Sequence, residues 1–368
     1  MKKLLITLLI MFVSPAFMIS AQADNIYTDT ARQFGADKLY DILSEEEKDI
    51  AGEPSFDGNI DVGGALSRLW KSFIEKLVLQ LKDNIEYFTA LIAISLTSTI
   101  SSTICASKKI SFFIELAGCC SACVLSLGNV DSITSQTLDA MYRLSDYSKA
   151  ALPVIFTASA ASGAVSSSAA KFAAVSFALD VLMSISQSLI IPVIYAFLAL
   201  TVSNCMFPNP LLTGVQRLCK WTAGILMSGM TLAFTAYMSM VGAIGSAVDT
   251  TAVKAARSFI SGVLPVVGGM ISDASAMVLS AAGVVKSSAG VFGLITVCVM
   301  CAGPFALLSV KAVLLKGVAA LAESMDNRSL STLFSGLGSA MALLLGLLGS
   351  CGIMLFVSLT AGMKAVNL

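Results

Sequence analysis

Beyond Tyr87 the chain runs for 281 residues with nine acidic and fourteen basic side chains, and it has no histidine anywhere. Apolar stretches such as 87–105 and 291–310 recur through this region. Each is long enough to cross a bilayer, since roughly 20 apolar residues span the hydrocarbon. A water-soluble fold of this size has no means of hiding so much apolar surface. The chain therefore reads as all-α, a polytopic bundle of transmembrane helices, because a helix satisfies its own backbone polar groups inside lipid.

The first 23 residues read as a secretory signal peptide. Lys2 and Lys3 form the positive start, Leu4–Val13 is an apolar run too short for an ordinary span, and Ala21-Gln22-Ala23 fits a small-x-small cleavage site. An uncleaved signal anchor is the alternative, and either way Asp24 onward is expected outside the cytoplasm. Residues 24–86 hold fourteen acids against seven bases, a net −7, whereas residues 87–368 carry +5. Bases retained on the cytoplasmic side produce such an asymmetry. Up to Val62 the arm is too polar for a large core and reads as small helices or a partly disordered segment. Over 64–83, Leu66, Leu69, Trp70, Phe73, Leu77 and Leu81 share a helical face opposite Arg68, Lys71, Glu75 and Lys82. That is an amphipathic helix leading into the first span, suited to lie in the membrane interface or to pack on a partner subunit.

The expected spans are 87–106, 110–128, 150–168, 172–188, 190–206, 221–246, 259–283, 290–310 and 333–362, a total of seven to nine if 150–168 or 259–283 is re-entrant. The polar 184–188 stretch and Pro192 suggest a break within 172–206. With Asp24 outside, Lys108 and Lys109 fall in the cytoplasm, as do Arg217 and Lys220 if 172–206 crosses twice. The 311–326 segment, with Leu314, Leu315, Val318, Leu321, Ala322 and Met325 on one face, reads as a helix along the membrane surface. Two small-residue regions look related at an offset of 112 residues. Leu152-Pro153-Val154 precedes a tract ending at Lys171, and Leu264-Pro265-Val266 precedes Gly268-Gly269 and a tract carrying Lys286. Proline breaks helices and small residues let backbones approach, so matched broken segments point to a transporter or channel midline. Two spans within 172–206 would make the repeat parallel, and one would make it inverted.

The sequence offers little chemistry. Cys119, Cys120 and Cys123 cluster in one expected span and Cys298 and Cys301 form a CxxC in another. Without histidine or polar support they read as small packing residues rather than a metal or redox centre. Histidine-based acid–base and Ser-His catalysis are excluded, and no GxxxxGK[ST] loop binds nucleotide. No cofactor or catalytic residue is expected, and no basic, aromatic-rich patch suggests nucleic acid. Three acids stand out as candidates for a polar path or an assembly contact: Glu115, Asp180 and Asp273. An ionised acid in lipid costs several kcal/mol unless paired or wetted, and Lys171, Lys286 or a helix start would neutralise it. Pro153, Pro265, Gly268 and Gly269 are the candidate helix breaks.

The stretch Val253-Lys254-Ala255-Ala256-Arg257-Ser258-Phe259, then Leu264-Pro265-Val266-Val267-Gly268, Ser272-Asp273-Ala274 and Lys286-Ser287-Ser288-Ala289-Gly290-Val291 resembles the stage III sporulation protein AE family. The likeness is strongest over 249–320 and weak over 24–86. The resemblance implies a part in endospore formation, in a complex of membrane proteins in the mother-cell membrane around the forespore. That complex is thought to form a secretion-like channel or feeding tube between the two cells. It implies as partners the other membrane proteins of the complex, a separate ATPase subunit among them, and a homo-oligomer. No catalytic residues come with it. The residues alone leave two alternatives open, an independent secondary transporter and a purely structural membrane scaffold.

Overall fold

A computed structural model of the chain describes residues 30–53, 61–104, 107–162, 165–263 and 268–363, with backbone alone at 108, 165–167, 242–263 and 268–279. The signal-peptide reading and Pro265 lie outside these residues. The described chain is helical throughout, with no strand. Two short helices, α1 (Asp37–Asp41) and α2 (Glu45–Ala51), precede α3 (Val62–Asp83) and α4 (Ile85–Ile104). The body continues as α5 (Lys108–Ala161), α6 (Val165–Ile185), a π-helical turn (Ser186–Ile190), α7 (Ile191–Met206), α8 (Pro210–Val263), α9 (Gly268–Ser324) and α10 (Arg328–Met363).

Contacts fix an up-and-down bundle. Tyr87 on α4 donates to Ser126 on α5, and a Cβ on Gly118 of α5 would lie 2.6 Å from Ser98 Oγ of α4, so these two run antiparallel. Phe156 stacks near Phe172 and Cys119 is disulfide-bonded to Cys205, so α6–α7 returns along α5. Lys220 and Met227 on α8 meet Ser339 and Gly346 on α10, which sets those two parallel. Gly352 against Cys301 and Gly338 against Ala312 show that α9 and α10 form an antiparallel hairpin. Lys76 beside Gly303 and Asn327 bonded to Thr99 lay α3–α4 parallel to α9. Short connections between long helices favour this topology.

Helix α10 is the hub, packed on α5, α7, α8 and α9 and buried on nearly every face, from Leu330 and Phe334 to Met354, Leu355 and Leu359. Its glycines explain how. A Cβ on Gly338 would stand 3.2 Å from the Ala312 carbonyl oxygen, and one on Gly336 would collide with Thr201. Inside lipid no hydrophobic gain pulls helices together, so close backbone approach at small residues supplies the packing.

Among the described residues, six helical runs are long and apolar enough to cross a membrane: Ile85–Ile104, Lys109–Ala161, Ser168–Met206, Pro210–Val241, Ser280–Ser324 and Arg328–Met363. That is fewer than the seven to nine expected, and the difference has a physical cause. At 54 residues, α5 is about 81 Å long against a hydrocarbon core of about 30 Å. A straight helix of that length continues past one membrane rather than turning back. The expected break near Pro192 is the π-helical turn, through which the helix carries on. Ser186 and Ser188 donate to the Leu182 and Ser184 carbonyls in the turns leading up to the proline.

Pro153 does not break α5, which ends instead at Ser162. The Thr157 hydroxyl, bonded to the Pro153 and Val154 carbonyls, helps hold the following turn. The expected spans 150–168 and 259–283 each straddle a helix end, so neither is a span. Each region joins an ascending helix to a descending one at the same end of the bundle. One crossing over 172–206 therefore relates the two regions in the same sense, not the inverted sense expected, because neither tract itself crosses. The 311–326 segment is also corrected. Up to Ser324 it is the last quarter of α9, with Leu315, Val318, Ala319 and Ala322 buried against the bundle rather than lying along a surface.

The arm is docked. Ser44 and Glu47 form a capping box at the start of α2, and Glu47 pairs with Arg143 of α5. Glu46 pairs with Lys76 at 3.1 Å, Arg68 donates to the Ile50 carbonyl, and the Tyr40 ring lies 6.4 Å from Phe292. Helix α3 packs along α9 of its own chain, while Leu66, Trp70 and Val78 stay exposed.

Candidate functional site: a basic, hydroxyl-lined seam inside the bundle

Lys171 is in the first two turns of α6 and Lys286 is some five turns into α9. They are 6% and 4% exposed and close enough for their charges to act on each other. Both lysines close the small-residue tracts singled out in the sequence. The tracts bring them together because α5–α6 and α8–α9 turn at the same end. Ser159, Ser168, Ser288, Thr296 and Tyr147 are buried on the same three helices, α5, α6 and α9. The hydroxyls of Ser159, Ser168, Tyr147 and Thr296 have no hydrogen-bond partner among the described residues. Tyr147 lies beside Thr296 and Gly293 without completing a bond to either. Buried hydroxyls left open cost free energy unless water or a polar guest satisfies them. These three helices thus bury two lysines and a set of hydroxyls inside an apolar bundle.

A second polar level lies farther along α9. Lys311, 5% exposed, donates to the Asn129 amide oxygen at 3.2 Å and sits 5.8 Å from the Tyr87 ring. Its contacts there are an amide oxygen and an aromatic face. Across α10, Lys220 donates to Ser339 and Gln216 to Thr201.

The acids expected along a polar path do not gather here. Asp180 is exposed on α6 and Glu115 is half-buried near the start of α5. Neither is in an ion pair among the described residues. Gly268 and Gly269 open α9, and Asp273 follows in its second turn, where the backbone alone is described. Of the candidates, Lys286 is the one placed in the seam. Lys311 and Asn129 escaped the sequence reading, although a lysine directly following an apolar run was the available signal. Ser159 and Ser168 were hidden within a tract read only as small.

The cysteines divide. Cys119 is bonded to Cys205, whereas Cys123 is a buried free thiol. Cys298 and Cys301 are free and face Leu69, Trp70 and Phe73 of α3 across an apolar groove. No group of three metal-ligating side chains occurs among the described residues.

A family model for stage III sporulation protein AE matches residues 55–365, which takes in every long helix. The chain belongs to the stage III sporulation protein AE family. It is a sporulation protein with a membrane-spanning helical body. No curated protein and no solved structure matches significantly. The helices α1 and α2 precede the matched stretch.

Proposed function

We propose that this family member is a non-enzymatic membrane subunit of a secretion-like channel linking mother cell and forespore. It would work in the mother-cell membrane around the forespore, with its acidic arm on the extracytoplasmic side. The observation that carries this reading is the family match over the whole helical body. The seam supports it, since a basic, hydroxyl-lined interior is what a polar path through a bundle needs. Partners would be further copies of the chain, the other membrane proteins of the complex and a separate ATPase, because the chain has no phosphate-binding loop.

An independent secondary transporter is the second reading, favoured by the convergence of Lys171 and Lys286 from two related tracts. Purification of tagged chain from membranes of sporulating cells separates the two. Co-recovery of the ATPase and other membrane subunits, with no solute uptake by the chain alone in liposomes, is expected. Recovery of the chain alone, with uptake, would establish the transporter instead.

A further inference from the structure

A cavity of about 370 Å³ opens where α7 ends and where α8 and α10 begin. Arg217 and Lys220 reach it from one face of α8, at i and i+3, and Ser331, Ser335 and Ser339 line it from one stripe of α10, at i, i+4 and i+8. Lys220 donates to Ser339 at 3.2 Å, so the two walls already converge. Gln216 also lines the cavity and donates to Thr201. Neither cation is in an ion pair among the described residues, and no carboxylate lines the cavity. Two cations and a ladder of hydroxyl donors without an acid make a site for a phosphoryl anion.

The surroundings say which phosphoryl compound. Leu211, Val215, Leu218, Ile225 and Leu232 are all exposed at helical spacing along the opposite face of α8, which marks this helix as bordering lipid. Trp221, 62% exposed, follows Lys220 directly, where an amphipathic ring marks the headgroup level. A cationic, hydroxyl-lined pocket beside a Trp at the headgroup level of a lipid-bordering helix matches the phosphodiester of a phospholipid headgroup. The geometry points to a structural binding site for one anionic phospholipid, with Arg217 and Lys220 holding the phosphate and Ser331 and Ser335 the headgroup hydroxyls. The lipid would wedge α8 against α10 at this end of the bundle.

The test uses the full chain in detergent, with native mass spectrometry counting lipid retained from added phosphatidylglycerol, phosphatidylcholine or inorganic phosphate. Wild type should retain one phosphatidylglycerol in preference to phosphatidylcholine. Arg217→Gln/Lys220→Gln should weaken retention about tenfold to thirtyfold, the factor for two basic contacts at a membrane surface. Lys108→Gln/Lys109→Gln, at the same end but outside the cavity, should change it little. Ser335→Ala, at an exposed position, tests the cavity independently if the double variant misfolds, and should weaken retention severalfold. Equal loss in the Lys108/Lys109 control, or no loss in Ser335→Ala, would overturn the site. Saturation by inorganic phosphate that displaces the lipid would overturn its assignment to a phospholipid.

Discussion

Lysine inside an apolar bundle has few places to put its charge, and Lys171, Lys286 and Lys311 are all buried. Lys286→Met keeps the length of the stem and removes the ammonium. It is expected to lower spore yield at least tenfold while leaving the chain's membrane level unchanged on blots. Cys298→Ser with Cys301→Ser should be nearly silent in the same assay, because both thiols are free at the rim of an apolar groove. Asp273→Asn, near the start of α9, belongs between them and is expected to impair assembly. Full sporulation with Lys286→Met and loss with the double Ser variant would reverse this ranking. Glu47 gives a pH-dependent prediction. Burial pushes its carboxyl up, but the Arg143 guanidinium and the Ser44 backbone N–H outweigh that and hold it below the ordinary 4.5. A depressed folded value stabilises docking of the arm above pH 4.5 and loses that contribution as the pH falls through the folded value. Limited proteolysis of the arm should accelerate below pH 4.5 in wild type and lose its pH dependence in Glu47→Gln. Arg143→Ala should release the arm at neutral pH, at a cost on the order of 2 kcal/mol. That is less than a fully buried pair would lose, because the guanidinium is 46% exposed.

At the scale of helices, the sequence showed which stretches are apolar but not where the helices stop. Hydropathy reports where lipid is tolerated. It does not report whether a polar patch such as 129–149 turns the chain back or simply continues α5, and here it continues. Pro192 and Pro153 gave breaking signals, yet the helix carries on through a π-helical turn before the first and continues past the second. The small-residue tracts were legible as alike in composition. Their role as hairpin tips was not, because that depends on which neighbouring helices run on unbroken. The pairing of Cys119 with Cys205 lies across 86 residues and had no local signature. Two substitutions test the packing. Gly336→Val would drive a branched side chain into Thr201 and is expected to destabilise the bundle by about 1–3 kcal/mol, read as a lower unfolding temperature in detergent. Gly317→Ala, on the same hairpin in open space, should leave that temperature unchanged or raise it slightly.

For the molecule as a whole, the described residues show six helical runs apolar and long enough to cross a membrane, a docked acidic arm and lysines buried inside the bundle. The all-α polytopic class was legible from hydropathy alone, and the family from the residues around Pro265 and Asp273. The seam was not, because it forms from residues of α5, α6 and α9 that come together only after the bundle closes. Orientation is an expectation with a direct readout. A reporter fused at Ser55 should be active outside the cytoplasm, and activity inside would reverse the topology. The channel reading is tested most directly by deleting the gene in a spore-forming host and scoring forespores after engulfment. Stalled development, restored by the wild-type chain but not by the Lys286→Met variant at equal membrane level, is the predicted result. Normal, heat-resistant spores from the deletion strain would contradict it.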